Sequence, residues 1–224
     1  MGGNPVTVNY ALQDQFLELF FETAIGGDFY LTGGTALARF YFHHRESLDL
    51  DFFTHNQTLD FDSVNRAILG IGTALNFKII SQVVTATFLQ YIFTDESGAT
   101  LKIDAVRDIP IRFGEIALRG KVRLDTLENI GSNKVLAIFG RADAKDFIDL
   151  YWILHQTVLT FDHLFRLAKE KDLGLSELYF AYSVQNIVRL NHFPQMLQPL
   201  PWDEMVAYFQ GLVQELLARI KPAE

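Results

Sequence analysis

The sequence predicts an α+β fold, with a mixed β-sheet and flanking helices in the N-terminal half and a helical bundle in the C-terminal half. Two observations carry this. Up to about residue 106, apolar residues cluster in short runs rich in Val, Ile, Thr and aromatics, the composition of strands. Beyond Leu124 they recur at the i, i+3, i+4 spacing of helices. No repeat, low-complexity tract or Gly/Ser linker divides the two, so the boundary is placed near residues 120 to 125, giving regions 1–123 and 124–224.

Each element follows in order. Between Leu12 and Ile25, Phe16, Leu17, Phe20, Phe21 and Ala24 fall at helical spacing and predict an amphipathic first helix. Phe29 to Thr32 is a short strand ended by Gly33 and Gly34, and Thr35 to Phe42 reads as a helix. Asp49 to Phe53 is the next strand and Phe61 to Leu69 a helix. LNFKIISQ, TATFLQYIFT and ATLKIDAV are further strands, with ESG a turn between the last two. A basic hairpin covers Arg107 to Arg123. Helices are then expected over Leu124 to Phe139, Lys145 to His155, Phe161 to Lys171, Ala181 to Leu190 and Trp202 to Ile220.

Composition narrows the function classes. A chain of 224 residues with 49% hydrophobic content is long enough to bury a sizeable core. The absence of Cys excludes disulfides, thiolate nucleophiles and Cys-ligated zinc, and a cytoplasmic location is expected. The start MGGNPVTVNY lacks the blocks of a secretory leader, and Val6 stands where a myristoylation signal needs Ser or Thr. No apolar run reaches the roughly 20 residues that span a bilayer, so no membrane partner is expected. The net charge of -8 argues against a dedicated duplex-DNA binder. Charge is nevertheless local: RDIPIRFGEIALRGKVR, from Arg107 to Arg123, sets five basic residues against two acidic ones. Such a patch attracts a polyanion such as RNA over about 8 Å at physiological salt; a solvated hairpin rim is the alternative.

The stretch FYLTGGTALARFYFHHRESLDLDFF, from Phe29 to Phe53, carries the chemistry. Strand residues i and i+2 share a face about 6.6 Å apart along the chain. Asp49 and Asp51 therefore project together, and paired carboxylates repel unless a cation lies between them. Mg²⁺ prefers carboxylate and phosphate oxygens. The preceding strand, glycine turn and helix start offer backbone N–H groups to an anion, with the Thr35 hydroxyl near the cap. Asp104, in an apolar strand where a charge is costly alone, is the natural third carboxylate of a two-metal site, with a Lys102–Asp104 ion pair as the alternative. Further on, Lys134, Ala137 and Arg141 fall on one helix face suited to a triphosphate. Asp146 and Asp149 lie off the apolar stripe of the next helix, placed either to orient those cations or as a solvated face. His43 and His44 have no ligand-spaced partners. Arg39 and Arg45 would touch phosphate or pair at the surface.

GGTALAR, ESLDLDFF and NKVLAIFGRADAKDFIDLY, in that order, resemble the AbiEii/AbiGii-type nucleotidyltransferase toxins of the DNA polymerase beta-like nucleotidyltransferase superfamily. The resemblance spans roughly residues 29 to 155 and implies a nucleotidyltransferase-like sheet. It implies that Gly33 and Gly34 hold an NTP, that Asp49 and Asp51 bind Mg²⁺, and that Lys134 and Asp146 are needed for activity. The superfamily often has Gly-Ser at the turn; here it is Gly-Gly-Thr.

Together these readings predict a Mg²⁺-dependent nucleotidyltransferase that moves NMP from an NTP to an acceptor hydroxyl. Asp49, Asp51 and Asp104 would hold metal, Gly33, Gly34 and Thr35 the nucleotide, and Lys134 and Arg141 the leaving triphosphate. The resemblance implies the toxin of a bacterial toxin–antitoxin or phage-defence pair, a cognate antitoxin partner, and tRNA as an acceptor, which the Arg107–Arg123 segment would seat. The alternatives are transfer to a small molecule or a protein, and a non-catalytic nucleotide-binding or partner-binding module.

Overall fold

A computed structural model describes residues 9–220. The first eight residues, and with them the leader and lipid-signal readings, lie outside the described residues. Among the described residues no helix is long and apolar enough to cross a membrane. The chain forms two compact units: residues through Phe40 together with Glu46–Asp125, and Tyr41–Arg45 together with the residues from Thr126 onward.

The first unit is built on a mixed seven-stranded sheet in the order β3-β4-β5-β2-β1-β7-β6. Its strands are β1 (Tyr30–Thr32), β2 (Asp49–Thr54), β3 (Lys78–Val84), β4 (Phe88–Thr94), β5 (Thr100–Arg107), β6 (Ala117–Arg119) and β7 (Val122–Leu124). β2 runs antiparallel to β1 and parallel to β5, while β7 runs parallel to β1. Alternation sorts the side chains. Leu50 and Phe52 of β2, Leu89, Tyr91 and Phe93 of β4, and Ile103 and Ala105 of β5 are buried on one face. Helices α1 (Tyr10–Glu22) and α3 (Phe61–Ala74) cover that face. Phe20 of α1 stacks on Phe52 with ring centroids 4.1 Å apart, and α3 comes so close that a Cβ at Gly72 would stand 2.9 Å from the Phe93 ring. Emptying such a site, as in Phe52→Ala, costs about 3–5 kcal/mol.

The opposite face carries Asp49, Asp51, Lys102 and Asp104, all half-buried. β3 forms one sheet edge, exposed along its length, and its ladder with β4 is irregular between Ile79 and Ser81. The β6–β7 hairpin turns through Gly120, whose φ of +60° favours glycine.

The second unit is helical: α4 (Leu127–Gly140), α5 (Ala144–Gln156), α6 (Phe161–Lys171), α7 (Glu177–Val184) and α8 (Trp202–Arg219). Aromatic packing holds it, with Phe147 of α5 edge-on to Phe209 of α8 and Phe161, Phe165 and Phe180 clustered between α6 and α7. Gly131 lets α4 approach α6, since a Cβ there would meet Leu164 at 2.7 Å.

Several boundaries differ from the sequence reading. The helix expected from Thr35 opens at Gly33 as α2 (Gly33–Ala36) and widens into a π-helical turn over Leu37–Tyr41. Leu124 ends a strand instead of starting a helix. Thr126 caps α4 by accepting from the Asn129 N–H at 3.1 Å, which leaves Asp125 between the two elements. Around Ala181 the chain is helical from Glu177, capped by Ser176, and tightens into a 3₁₀ turn over Gln185–Arg189.

Candidate active site

The polar sheet face brings together the carboxylates that the sequence set 55 positions apart. Register places Thr32 opposite Asp51, Asp49 opposite Lys102, Asp51 opposite Asp104, and Gln90 opposite Asp104. The Lys102 ammonium lies 2.9 Å from Asp49 Oδ2 and 3.0 Å from Asp104 Oδ2, so the ion pair that stood as the alternative reading of Asp104 is present and includes Asp49 as well. Burial works against that ammonium, but its bonds to Asp49 and Asp104 prevail and hold its pKa above the ordinary lysine value. Gln90 Nε2 donates to Asp104 Oδ1 at 2.9 Å.

The glycine turn abuts this face. Gly33 has a φ of +66°, and a Cβ there would stand 2.5 Å from Asp51 Oδ2, so any other residue would collide with the carboxylate. Gly34 and Thr35 are buried in the first turn of α2, and the Thr35 hydroxyl donates to the Asp49 carbonyl, tying turn to strand. Three carboxylates on adjacent strands supply the oxygen donors that a hard divalent cation prefers. The Lys102 ammonium shows that a cation fits between two of them. Among the described residues no group of three or more acidic or histidine side chains is drawn together closely enough to hold a metal ion in this arrangement.

Lys134, Arg141 and Asp146 belong to the helical unit and form an ionic network in which Lys134 and Asp146 are buried and Arg141 is exposed. Lys134 Nζ lies 2.9 Å from Asp146 Oδ1 and 2.7 Å from Asp149 Oδ2. Arg141 grips Asp146 with Nε at 2.7 Å and Nη2 at 2.9 Å. Arg45 grips Asp149 with Nε and Nη2, both at 2.7 Å, and His44 Nε2 lies 2.8 Å from the same carboxylate. Asp146 and Asp149 are 0% exposed, which overturns the solvated-face alternative; Lys134 contacts both and Arg141 contacts Asp146. Burial raises both carboxyl pKa values, but the cations outweigh it and hold both below the usual carboxylate range. Lys134 is correspondingly held above its ordinary value, against its burial. Burial lowers the His44 pKa despite Asp149, and Trp152 lies against its ring.

The basic hairpin is largely engaged within the chain. Lys121 pairs with Glu18 and Glu22 of α1, Arg123 donates to the Phe29 carbonyl at 3.0 Å, and Arg112 faces Asp125 at 3.8 Å. Arg107 donates to the Leu59 carbonyl and lies over the Phe61 ring. Arg39 is held by Asp14 and Gln13. Asp125, hidden inside an expected helix, escaped the sequence reading; Asp149 was singled out there, but its partners His44 and Arg45, over 100 positions away, were not.

Residues 15–218 match the family model described as the nucleotidyl transferase AbiEii toxin of a type IV toxin–antitoxin system. The chain belongs to the AbiEii nucleotidyltransferase toxin family. It is similar to an uncharacterized protein of Aquifex aeolicus, 26% identical over 216 residues that cover 92% of this chain and 96% of that one. Among solved structures, JHP933 from Helicobacter pylori has a TM-score of 0.62 at 20% identity, covering 94% of this chain and 90% of that one. MenT4, a nucleotidyltransferase toxin from Mycobacterium tuberculosis, has a TM-score of 0.53 at 16% identity, with 92% and 82% covered. At such identities these likenesses concern the fold, and they make the AbiEii chain's sheet and helices a nucleotidyltransferase fold. The GGTALAR, DLD and AKDFIDLY segments all fall inside the matched residues.

Proposed function

We propose that this AbiEii family member is a Mg²⁺-dependent nucleotidyltransferase that moves NMP from an NTP to an acceptor hydroxyl, as the toxin of a cytoplasmic toxin–antitoxin or phage-defence pair. The observation that supports this best is the alignment of Asp49, Asp51 and Asp104 on one sheet face, with Gly33 pressed against Asp51. Mg²⁺ held by these three carboxylates would neutralise phosphate charge and polarise the α-phosphate. The Gly33-Gly34-Thr35 turn binds the nucleotide's phosphates through its backbone N–H groups. Asp104 receives the acceptor's proton as the acceptor oxygen bonds to the α-phosphorus. The bond to the bridging oxygen breaks, and pyrophosphate leaves with the electron pair. Lys102 holds the Asp49 and Asp104 carboxylates in place between turnovers. Lys134 and Asp146 enter the proposal through the family's pattern and Arg141 through the helix face it shares with Lys134, the two cations serving the leaving pyrophosphate.

The 3′ end of tRNA is the acceptor this reading prefers, with Arg107–Arg123 as its seat and a cognate antitoxin as the regulating partner. A second reading, transfer to a small molecule or a protein, is favoured by the pairing of Lys121 with Glu18 and Glu22, which removes positive charge from the hairpin tip. Labelling RNA, protein and small-molecule extracts with each α-³²P-NTP separates the two. Label in the RNA fraction supports tRNA, and label only in the others overturns it. A thermal shift with NTP and Mg²⁺ tests the non-catalytic alternative, because a pure interaction module ignores both.

A further inference from the structure

We infer that Asp125 is a positioning residue of the glycine turn, holding the Thr32 side chain in a rotamer that keeps its hydroxyl off the first amides of α2. The inference rests on the reading of that turn as a phosphate site and adds the residue that keeps it open. Thr32 is the cap residue of α2, yet its side chain makes no cap bond. Asn9, Asp60, Thr126, Asp143, Thr160 and Ser176, the polar cap residues of the other α-helices described, all accept from an amide of their own first turn. Thr is among the residues that favour this bond, so something must prevent it at Thr32.

That something is a buried clamp. Thr32 Oγ1 donates to Asp125 Oδ2 at 2.6 Å, with Thr32 2% and Asp125 0% exposed. The Asp125 N–H donates to the Leu31 carbonyl at 3.0 Å, so Asp125 grips the last two residues of β1 through backbone and side chain. Arg112 Nη1 lies 3.8 Å from Asp125 Oδ1, the carboxylate oxygen other than the one that accepts from the Thr32 hydroxyl. A hydroxyl that donates retains lone pairs able to accept. It is therefore the rotamer imposed by Asp125, and not the use of the proton, that withholds the cap. The next residue, Gly33, is the one whose backbone presses on Asp51, so the clamp fixes the turn beside a carboxylate it must not disturb.

The test is a double-mutant cycle read with inorganic triphosphate by calorimetry and by hydrogen exchange of the Gly34 and Thr35 amides, the two that a cap at Thr32 would engage. Asp125→Ala frees Thr32 to cap the turn and compete with the anion, and should weaken triphosphate binding about tenfold, the size of one N-cap bond. Thr32→Val has no hydroxyl to offer and should bind as wild type. Thr32→Val/Asp125→Ala should recover binding to within about threefold of wild type although its stability stays low, because no cap can form. A double variant as weak as Asp125→Ala, or Asp125→Ala binding as wild type does, overturns the inference. Should Asp125→Ala not fold, Asp125→Ser, too short to reach the hydroxyl, replaces it in the cycle. If wild type itself does not bind triphosphate, the phosphate-site reading fails, and exchange alone decides Asp125. Amides slowed in Asp125→Ala and fast again in the double variant support the clamp; amides unchanged throughout refute it.

Discussion

Replacing Lys134 with Met removes one charge from the centre of the helical unit and leaves two buried carboxylates facing each other across an apolar side chain. Lys134 is 6% exposed and its ammonium contacts Asp146 and Asp149 at 2.9 and 2.7 Å, both acidic residues being 0% exposed. Breaking a buried pair by removing one partner costs about 3–5 kcal/mol. Asp149 keeps the Arg45 fork and Asp146 keeps Arg141, so the lower end applies, about 3 kcal/mol. For a chain of this length each kcal/mol moves the unfolding midpoint by about 2–4 °C, giving a drop of about 6–12 °C in thermal denaturation followed by circular dichroism. Lys134→Arg keeps a charge between the two carboxylates and should recover about half of that drop. NTP turnover measured below the transition then isolates chemistry. A Lys134→Arg variant that regains its midpoint but not its turnover places Lys134 in the reaction itself. A Lys134→Met midpoint within 1 °C of wild type, on the scale set by about 3 kcal/mol, would refute the claim that this network holds the unit together.

Asp51→Ala should abolish NMP transfer while leaving the unfolding midpoint unchanged or higher, because one of two repelling carboxylates is removed; Asp49→Ala should do the same to transfer, and wild-type turnover with Mg²⁺ in either variant sinks the metal assignment. Gly33→Ala combines a left-handed φ with a collision against Asp51 Oδ2, so it should lower stability by about 1–2 kcal/mol in denaturant titrations and cut turnover more than stability alone explains. The His44 pKa is lowered by folding, so the unfolded chain binds more protons as pH falls below about 6.5, and stability declines from there. Asp146 and Asp149 act in the same direction at lower pH: their contribution is present above the unfolded carboxyl pKa and lost as pH falls through the depressed folded values. His44→Gln should therefore flatten the midpoint between pH 7 and 5, and an unchanged slope would show that His44 is not the group responsible.

Much of this was legible in the sequence because it is local. Strand alternation put Asp49 and Asp51 on one face, and the apolar cost of Asp104 marked it as partnered, although the sequence did not show that Lys102 would bridge it to Asp49. The glycine turn was visible as a turn. What made Gly33 obligatory, the approach of Asp51 from the paired strand, was not. Asp125 was unreadable for the same reason, and so were the distant partners of Asp149: Thr32 in one case and His44 and Arg45 in the other are brought near only by the fold. A count of charges along the basic run likewise takes no notice of Glu18 and Glu22 on α1, which pair with Lys121.

The route of the chain through its two units bears on how such a protein can be inherited. Tyr41–Arg45 belongs to the helical unit, yet it is spliced between the glycine turn and the D-x-D strand. Cutting the gene once after Asp125 would strand His44 and Arg45 in a fragment lacking Asp149, their shared acceptor. Neither half can be shuffled onto another catalytic or helical partner by a single recombination without breaking that cluster. The two units are therefore expected to travel through genomes together, with Arg45 and Asp149 changing in concert, and a lineage that loses one should show a compensating change at the other.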